Sequence, residues 1–320
     1  MKAIRVHEHG GPEVLTLDEV PSPEREDDEV LVRLEATGVN FIDVYHRTGV
    51  YPRDLPFVPG SEGAGVVVDA DASAAVRVGD RVASVSLPGA YAEQVAVPVD
   101  RLVPVPDEVD NDVAAAVMLQ GLTAHYLLNA ICDLEPGDWC VVHAAAGGVG
   151  LLLTQMARSL GLRVLGSVSS AAKTELASAA GCEVTVVYTD RDFVDAAREA
   201  TAGRGVRAVF DGVGADTFDG SIECLAPRGY MILYGQASGL VPPFDPRRLA
   251  ARSLFLTRPV LGHYTATRDE LLWRSEEVFG AVAAGGLDVH VHARYLLADA
   301  ARAHEDLQSR KTMGKLLLIP

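Results

Sequence analysis

The residues that most clearly suggest chemistry form a short glycine-rich turn at positions 145–150, with the sequence AAGGVG. This is the dinucleotide-binding pattern G-x-G-x-x-G with alanine in its first place. In such a turn a small first residue permits a sharp bend, Gly147 lets backbone N–H groups approach a pyrophosphate, and Gly150 allows close packing of helix and strand. We therefore expect a dinucleotide site whose cofactor-binding residues are Ala145, Gly147, Gly148, Val149 and Gly150.

The sequence on both sides of the turn supports this interpretation. Residues 139–160 predict a buried strand, the turn, and a helix with one apolar face. That face is formed by Val149, Leu152, Met156 and Leu160. Phosphates would lie at the helix N-terminus, where N–H groups and the helix dipole favour anions. The alternative is a connecting turn without a ligand, because turns of this composition join many strands to helices.

The end of the next strand indicates which dinucleotide is bound. An NAD site usually carries Asp or Glu there, about 20 residues after the turn, to hold the ribose 2′-hydroxyl. Here residues 163–168 are followed by SSAAK, with no acid before Glu175. A carboxylate would repel a 2′-phosphate, whereas hydroxyls and the ammonium of Lys173 can bind it. The sequence therefore predicts NADPH; the alternative is that Lys173 is a solvated residue of the next helix.

Composition and charge argue against several classes of function. The chain has 320 residues, a hydrophobic fraction of 48% and a net charge of −16. These values indicate a globular protein long enough for two cores. The charge argues against nucleic acid or an anionic membrane surface as the main partner, because both are polyanions. No apolar run approaches the roughly 20 residues of a membrane helix.

The N-terminus and the cysteines indicate the compartment. The segment MKAIRVHEHGG lacks the apolar core of a signal peptide, so we expect a cytoplasmic protein. The cysteines are scattered in apolar segments without C-x-x-C spacing, and we interpret them as reduced core residues. They are Cys132, Cys140, Cys182 and Cys224.

The pattern of the chain changes twice. Up to about residue 120, short valine-rich runs broken by Gly, Pro and Asp predict an antiparallel β domain. From residue 136 strands alternate with helices, which favours a parallel sheet with right-handed crossovers. The segments after residue 256 do not continue this alternation, and the simplest interpretation is that they complete the first domain. We therefore expect an α/β fold, with a catalytic domain at 1–120 and 257–320 and a cofactor domain at 121–256.

Three motifs in order resemble one known family. They are VNFID at 39–43, PGSEGAG at 59–65 and HAAAGGVG at 143–150, and the likeness continues to the final LLLIP. The sequence resembles the medium-chain dehydrogenase/reductase superfamily, and within it the zinc-independent quinone oxidoreductases related to zeta-crystallin. The resemblance implies a GroES-like antiparallel β catalytic domain, a Rossmann cofactor domain with a doubly wound parallel sheet, and a homodimer.

The same comparison bears on metal binding. Zinc alcohol dehydrogenases, which the chain also resembles, carry a Cys at the position of Asn40, a His at Ser61 and a Cys near Leu119. A catalytic zinc needs three protein ligands, and none of these positions offers a good one. His290 and His292 alternate on a predicted strand, but no third ligand is near them in sequence, so we favour a structural role. We predict that the protein holds no metal.

The resemblance implies functional residues in both domains. Asn40 and Tyr45 match positions beside the nicotinamide, and Tyr51 matches a tyrosine that borders the substrate pocket. Each tyrosine has the alternative of a half-buried packing residue with a solvated hydroxyl. Further matched positions contact the cofactor or line its nicotinamide end. They are Thr123, Ser169, Lys173, Tyr188, Gly235, Leu256, Thr257 and Arg258, whereas Lys315 matches only in part and receives no role.

The predicted absence of a metal limits which reactions the protein can catalyse. Hydride transfer requires the donor and acceptor carbons to be held close together and dry. Alcohol oxidation also needs an alkoxide stabiliser such as zinc, whereas a quinone or enone spreads the charge itself. We expect NADPH-dependent quinone reduction, with Asn40, Tyr45 and Tyr51 as catalytic residues and no compelling general acid. The alternatives are a reductase of enones or enoyl thioesters, and a non-catalytic NADPH-binding protein.

Overall fold

The structure is a computed structural model that describes residues 1–72 and 74–320. Its strands are Lys2–Val6 (β1), Leu15–Glu19 (β2), Glu29–Val39 (β3), Gly63–Asp69 (β4), Arg81–Ser84 (β5), Gln94–Pro98 (β6), Val103–Pro104 (β7), Trp139–Val142 (β8), Arg163–Val168 (β9), Val184–Val187 (β10), Val206–Asp211 (β11), Leu225–Leu233 (β12), Phe255–Thr257 (β13), Val291–Leu296 (β14) and Lys315–Ile319 (β15). Its α-helices are Phe41–Arg47 (α1), Asn111–Asn129 (α2), Gly148–Ser159 (α3), Thr174–Ala180 (α4), Phe193–Ala200 (α5), Phe218–Cys224 (α6), Arg247–Ala250 (α7), Arg268–Ala283 (α8) and Ala300–Gln308 (α9).

The chain forms two compact units. The first unit contains residues 1–122 and 266–320, and the second contains residues 123–265. The second boundary lies beyond the expected position, residue 257, for two structural reasons. Thr257 pairs with Ile232 of the parallel sheet, and the ring of Tyr264 stacks on Tyr126 with centroids 4.4 Å apart. Residues 257–265 are therefore part of the second unit.

The first unit is built on a sheet with the strand order β14-β15-β3-β4-β5-β7, and β6 also pairs with β3. Leu316, Leu317 and Leu318 of β15 pair antiparallel with β3, so the end of the chain completes this sheet. Among the described residues of this sheet, β14 and β15 run parallel to each other, contrary to a purely antiparallel expectation. The reason is that α9 connects them, and a helical crossover allows two strands to run in the same direction. Apart from this pair, the paired strands of the sheet are antiparallel, as the valine-rich runs predict.

The second unit is a six-stranded parallel sheet with the order β10-β9-β8-β11-β12-β13. The order runs outward from β8 in both directions, as in a doubly wound Rossmann fold, so the predicted fold class is confirmed. The topological switch point lies between β8 and β11. Ligands of such sheets bind beyond the carboxyl ends of the strands at this point. The glycine turn directly follows β8 and is therefore at the expected position.

The predicted apolar face of α3 is wrong in part. Leu160 lies beyond the end of the helix and is 43% exposed, and Val149 and Met156 are only partly buried. The helix packs against both β9 and α4, so it is covered on more than one side. A single apolar stripe describes such a helix poorly. Its buried residues are Gly150, Leu151, Leu152, Leu153, Thr154 and Ala157.

The four cysteines are unpaired, and three of them are buried. Burial raises the pKa of the Cys182 thiol to about 11 and that of Cys132 to about 12. These thiols therefore stay protonated near neutral pH, as expected of core residues. Within residues 1–72 and 74–320, none of the helices has the length and apolar character needed to cross a membrane.

Candidate functional site

The glycine turn is shaped by a close approach between backbone segments. A Cβ atom at Gly150 would lie 2.3 Å from the carbonyl oxygen of Ala144 and 2.8 Å from the Cα of Ala145. Neither atom can move without distorting the turn, so only glycine fits. Gly147 is the N-cap of α3, and its N–H donates to Ala144 over 2.8 Å. The first N–H groups of α3 have no partner within the helix and are available to an anion.

A buried chain of polar side chains lies at the carboxyl ends of the strands beside this turn. His143 follows β8 directly, and its Nδ1 and Nε2 atoms lie 2.7 Å and 2.9 Å from the hydroxyls of Ser167 and Ser221. Asp211 accepts hydrogen bonds from Thr217, at 2.8 Å, and from Ser221, at 3.3 Å. Burial lowers the pKa of His143, which is therefore neutral. Because Ser221 donates to Asp211, its oxygen accepts from the imidazole Nε2–H.

The residues expected near the adenosine lie along the ends of two neighbouring strands. Ser169 follows β9 and Tyr188 follows β10, and the backbone N–H of Tyr188 donates to Val168 over 3.2 Å. Lys173 ends the short turn before α4 and is partly buried, which lowers the pKa of its ammonium. The structure therefore places these three side chains at one edge of the sheet. The nearest following acid, Glu175, is exposed.

Two of the remaining matched positions, Gly235 and Arg258, hold local structure in the second unit. A Cβ at Gly235 would lie 2.5 Å from the carbonyl oxygen of Gly212, so this position also requires glycine. The guanidinium of Arg258 donates to the carbonyl of Leu233 over 2.9 Å and to Gln236 over 3.2 Å. Thr123 is buried, and Thr257 belongs to the edge strand β13. Gly235 and Arg258 thus hold the segment after β12.

In the first unit, Asn40 belongs to a buried cluster that includes two charged residues. Its amide nitrogen donates to Glu62 over 2.7 Å, and its amide oxygen accepts from the ammonium of Lys315 over 2.8 Å. Glu62 and Lys315 also form an ion pair. The second carboxylate oxygen of Glu62 accepts from the backbone N–H of Leu119 over 2.6 Å. Sequence reasoning missed Glu62 and gave Lys315 no role, although each is a charge inside an otherwise uncharged motif.

Asn40 is also the N-cap of α1, the helix that carries Tyr45. The rings of Tyr45 and Tyr51 meet edge to face with centroids 5.2 Å apart. The backbone N–H of Tyr51 donates to the carbonyl of Tyr45 over 3.0 Å. Both tyrosines are partly buried. The structure thus brings Tyr51, which follows α1, into contact with Tyr45 on the helix that Asn40 begins.

A second buried network also fixes α1. Asp43 accepts from the backbone N–H of Asn40, at 2.9 Å, and from the hydroxyl of Tyr91, at 3.0 Å. The Tyr91 oxygen lies 3.0 Å from Nε2 of His304, whose Nδ1 lies 3.3 Å from the guanidinium of Arg47. Burial raises the pKa of Asp43 to about 6 and lowers that of His304 to about 3. The neutral imidazole of His304 therefore connects α9 to α1, directly through Arg47 and by way of Tyr91 to Asp43.

Comparisons with known proteins agree with this geometry. Residues 26–107 match the family described as alcohol dehydrogenase GroES-like domain, and residues 148–274 match zinc-binding dehydrogenase. The chain is 43% identical over 324 residues to a quinone oxidoreductase of Pseudomonas aeruginosa, covering 100% of this chain and 99% of the relative. The chain belongs to the quinone oxidoreductases of the medium-chain dehydrogenase/reductase superfamily.

Two further relatives of this quinone oxidoreductase are similar over nearly the whole chain. A solved mycobacterial protein complexed with NADPH has a TM-score of 0.97 and 50% identity, with 100% of both chains covered. A 2-haloacrylate reductase of a Burkholderia species is 40% identical over 326 residues, covering 98% of each chain. Within the described ranges, no group of three or more His, Cys, Asp or Glu residues is arranged to hold a metal ion.

The buried imidazole predicts a specific loss of stability in acid. His304 has a folded pKa of about 3, well below the value near 6.5 expected in the unfolded chain. As the pH falls from about 6.5 to about 3, the unfolded state binds a proton that the folded state does not, so stability falls by about 1.4 kcal/mol per pH unit. Asp43 acts in the opposite direction between about pH 4 and 6, because its folded pKa is raised.

We expect His304→Gln to remove the contribution of the imidazole. Urea unfolding between pH 4 and 7 should show a free-energy difference between wild type and variant that shifts in favour of the variant as the pH falls. His263→Gln, at an exposed position, is the matched control and should give a curve parallel to wild type. Parallel curves for His304→Gln as well would show that His304 is not held neutral by burial.

Proposed function

We propose that this protein reduces quinones by transferring a hydride from NADPH without a catalytic metal. The observation that carries the proposal is the 43% sequence identity to a quinone oxidoreductase over the whole chain. A glycine turn that excludes a side chain at position 150 supports it. We further propose that residues 123–265 form the cofactor domain and that the first unit is the catalytic domain.

The residues of the second unit fit NADPH. The close approach of Gly150 to Ala144 brings the start of α3 against the end of β8, and the N–H groups at the start of α3 suit a pyrophosphate. Ser169, Lys173 and Tyr188 at the adjoining sheet edge suit an adenosine with a 2′-phosphate, because they offer hydroxyls and a cation. When bound, NADPH supplies the hydride. Thr123, Gly235, Thr257 and Arg258 are proposed for its nicotinamide end.

Residues of the first unit are proposed to act on the reacting groups. Both N–H groups of the Asn40 amide are committed, to Glu62 and to the carbonyl oxygen of Gly38. Asn40 can therefore offer a ligand only its oxygen, and it acts as a hydrogen-bond acceptor. Tyr45 and Tyr51 carry the phenolic hydroxyls that can orient a quinone oxygen and hold the proton that balances the transferred hydride.

Zinc independence rests on the residues at the positions that bind zinc in related alcohol dehydrogenases. Asn40 is hydrogen-bonded within the buried cluster, and Leu119 contributes its backbone N–H to Glu62. A quinone needs no metal to stabilise an alkoxide, because its ring system spreads the negative charge. Neutral hydrogen-bonding groups of the protein are therefore sufficient for reduction of a conjugated carbonyl compound.

A second candidate activity is reduction of a conjugated carbon–carbon double bond. The specific observation in its favour is the 40% identity to a 2-haloacrylate reductase over nearly the whole chain. In that reaction hydride adds to the carbon β to the carbonyl group and a proton adds to the α carbon. The same cofactor site serves both reactions, so only the acceptor distinguishes them.

The hydride acceptor can be identified by measuring the rate of NADPH oxidation with a panel of substrates. We expect turnover with 1,4-benzoquinone and 9,10-phenanthrenequinone to exceed that with 2-alkenals, 2-chloroacrylate and crotonyl-CoA. Activity should survive a metal chelator, and elemental analysis should find less than one zinc per chain. Faster turnover of the alkenes would favour the second activity, binding without turnover would favour a non-catalytic protein, and chelator-sensitive turnover would contradict the metal-free proposal.

The 2′-phosphate assignment predicts a selective effect of charge reversal. Lys173→Glu should weaken NADPH binding much more than NADH binding, because a charge-assisted hydrogen bond to phosphate contributes roughly 1.5–3 kcal/mol. The exposed Lys311→Glu is the control, since it changes net charge equally. Dissociation constants are measured by fluorescence of the reduced nicotinamide. Equal losses for both coenzymes would show that Lys173 does not contact the phosphate.

We also propose that the protein is a homodimer joined at β13. This strand is an edge of the parallel sheet, and its Phe255 and Leu256 side chains are 52% and 37% exposed. An exposed apolar edge strand is a template for pairing with a second copy about a two-fold axis. Sedimentation velocity should show a dimer that Phe255→Lys dissociates. Leu296→Lys, on the exposed edge strand β14, should leave it intact.

A further inference from the structure

Three polar side chains from distant parts of the sequence form a closed ring inside the first unit. Asn40, Glu62 and Lys315 each contact the other two. Glu62 is 0% exposed and Lys315 is 1% exposed, whereas Asn40 is 5% exposed. The ring is packed against Gly38, where a Cβ would lie 2.7 Å from the Lys315 ammonium. A ligand can therefore reach the ring only through Asn40.

Stability alone does not explain a buried ion pair. Removing two charges from water is costly, and apolar replacements of similar volume often leave stability unchanged or raise it. Losing one partner is strongly destabilising, because the other charge is then buried without compensation. The distinctive effect of this pair is on the amide between the two charges.

The two charges determine which way the Asn40 amide points. Its oxygen faces the ammonium and its nitrogen faces the carboxylate. A rotation by 180° would place the amide NH₂ against the ammonium and the amide oxygen against the carboxylate, which are two repulsive contacts. The backbone N–H of Leu119 holds the other oxygen of Glu62, so the carboxylate cannot rotate away. The ring therefore fixes both the orientation of Asn40 and the start of α1.

We propose that Glu62 and Lys315 are positioning residues for the reaction, which hold the Asn40 amide with its oxygen as acceptor and fix the helix that carries Tyr45. This inference rests on the proposed role of Asn40 in the first unit. It assigns Lys315 a role that the sequence motif leaves open. Neither charge touches the reacting groups, so both act through Asn40.

The decisive variant removes both charges together. Glu62→Gln with Lys315→Met leaves no unpaired buried charge, so we expect a melting temperature close to wild type. We expect kcat to fall about 10- to 100-fold, because a misplaced active-site group costs rate without unfolding the protein. The primary isotope effect with 4-deuterated NADPH should rise, since the hydride step becomes slower. Asp195→Asn with Arg198→Met removes the exposed ion pairs that Arg198 forms with Asp195 and Glu223, and it is the control.

A second variant exchanges the amide and the carboxylate. Asn40→Asp with Glu62→Gln keeps the net charge and keeps an oxygen at position 40 facing Lys315. We expect it to recover most of the kcat that Asn40→Asp alone loses, since the single variant places two carboxylates together. This exchange retains its meaning even if the charge-free variant folds poorly. Failure of the exchange to exceed the single variant would contradict the inference.

The outcomes separate this inference from the proposed function. Each kcat is measured with the acceptor that the wild type reduces fastest, so activity on crotonyl-CoA in place of quinones contradicts quinone reduction but not the positioning role. A charge-free variant with wild-type kcat and isotope effect overturns the positioning role. A loss of activity that only follows the unfolded fraction does so as well. A wild type inactive with every acceptor contradicts both.

Discussion

The cofactor site depends on a backbone oxygen that lies where a side chain at position 150 would begin. The 2.3 Å separation between that Cβ position and the Ala144 carbonyl leaves no space for any residue but glycine. A forced overlap in a packed interior costs roughly 1–3 kcal/mol, and more when backbone must move. This close approach brings the start of α3 against the end of β8. The helix N–H groups and the switch point of the sheet therefore coincide, which creates the anion site.

Buried polar groups support both units at the places where chemistry is proposed. In the second unit His143, Ser221 and Asp211 link the ends of β8 and β11 through α6. In the first unit the ring around Asn40 and the network around Asp43 both hold α1. Such networks are costly when incomplete and rigid when satisfied. The rigidity of the ring around Asn40 suits a reaction that asks the protein mainly to position groups and exclude water.

The sequence could predict features that depend on neighbouring residues. The glycine turn, the alternation of strands and helices, and the lack of an acid before Glu175 are local patterns. The structure places the glycine turn and the residues before Glu175 after the carboxyl ends of neighbouring parallel strands. It could not predict contacts between distant positions. Lys315 and Glu62 are 253 residues apart, and His304 and Tyr91 are 213 apart. The predicted apolar face of α3 was wrong in part, because a prediction from helical periodicity assumes that one side of the helix is buried.

The most direct test of the account is titration of NADPH into Gly150→Ala, followed by the fluorescence of the reduced nicotinamide. The matched control is Gly280→Ala in α8, where an added Cβ has no neighbour within 4 Å. The account predicts at least a tenfold weaker dissociation constant for the first variant, equivalent to about 1.4 kcal/mol, and an unchanged one for the second. Wild-type affinity in folded Gly150→Ala would show that the coenzyme does not lie on this turn.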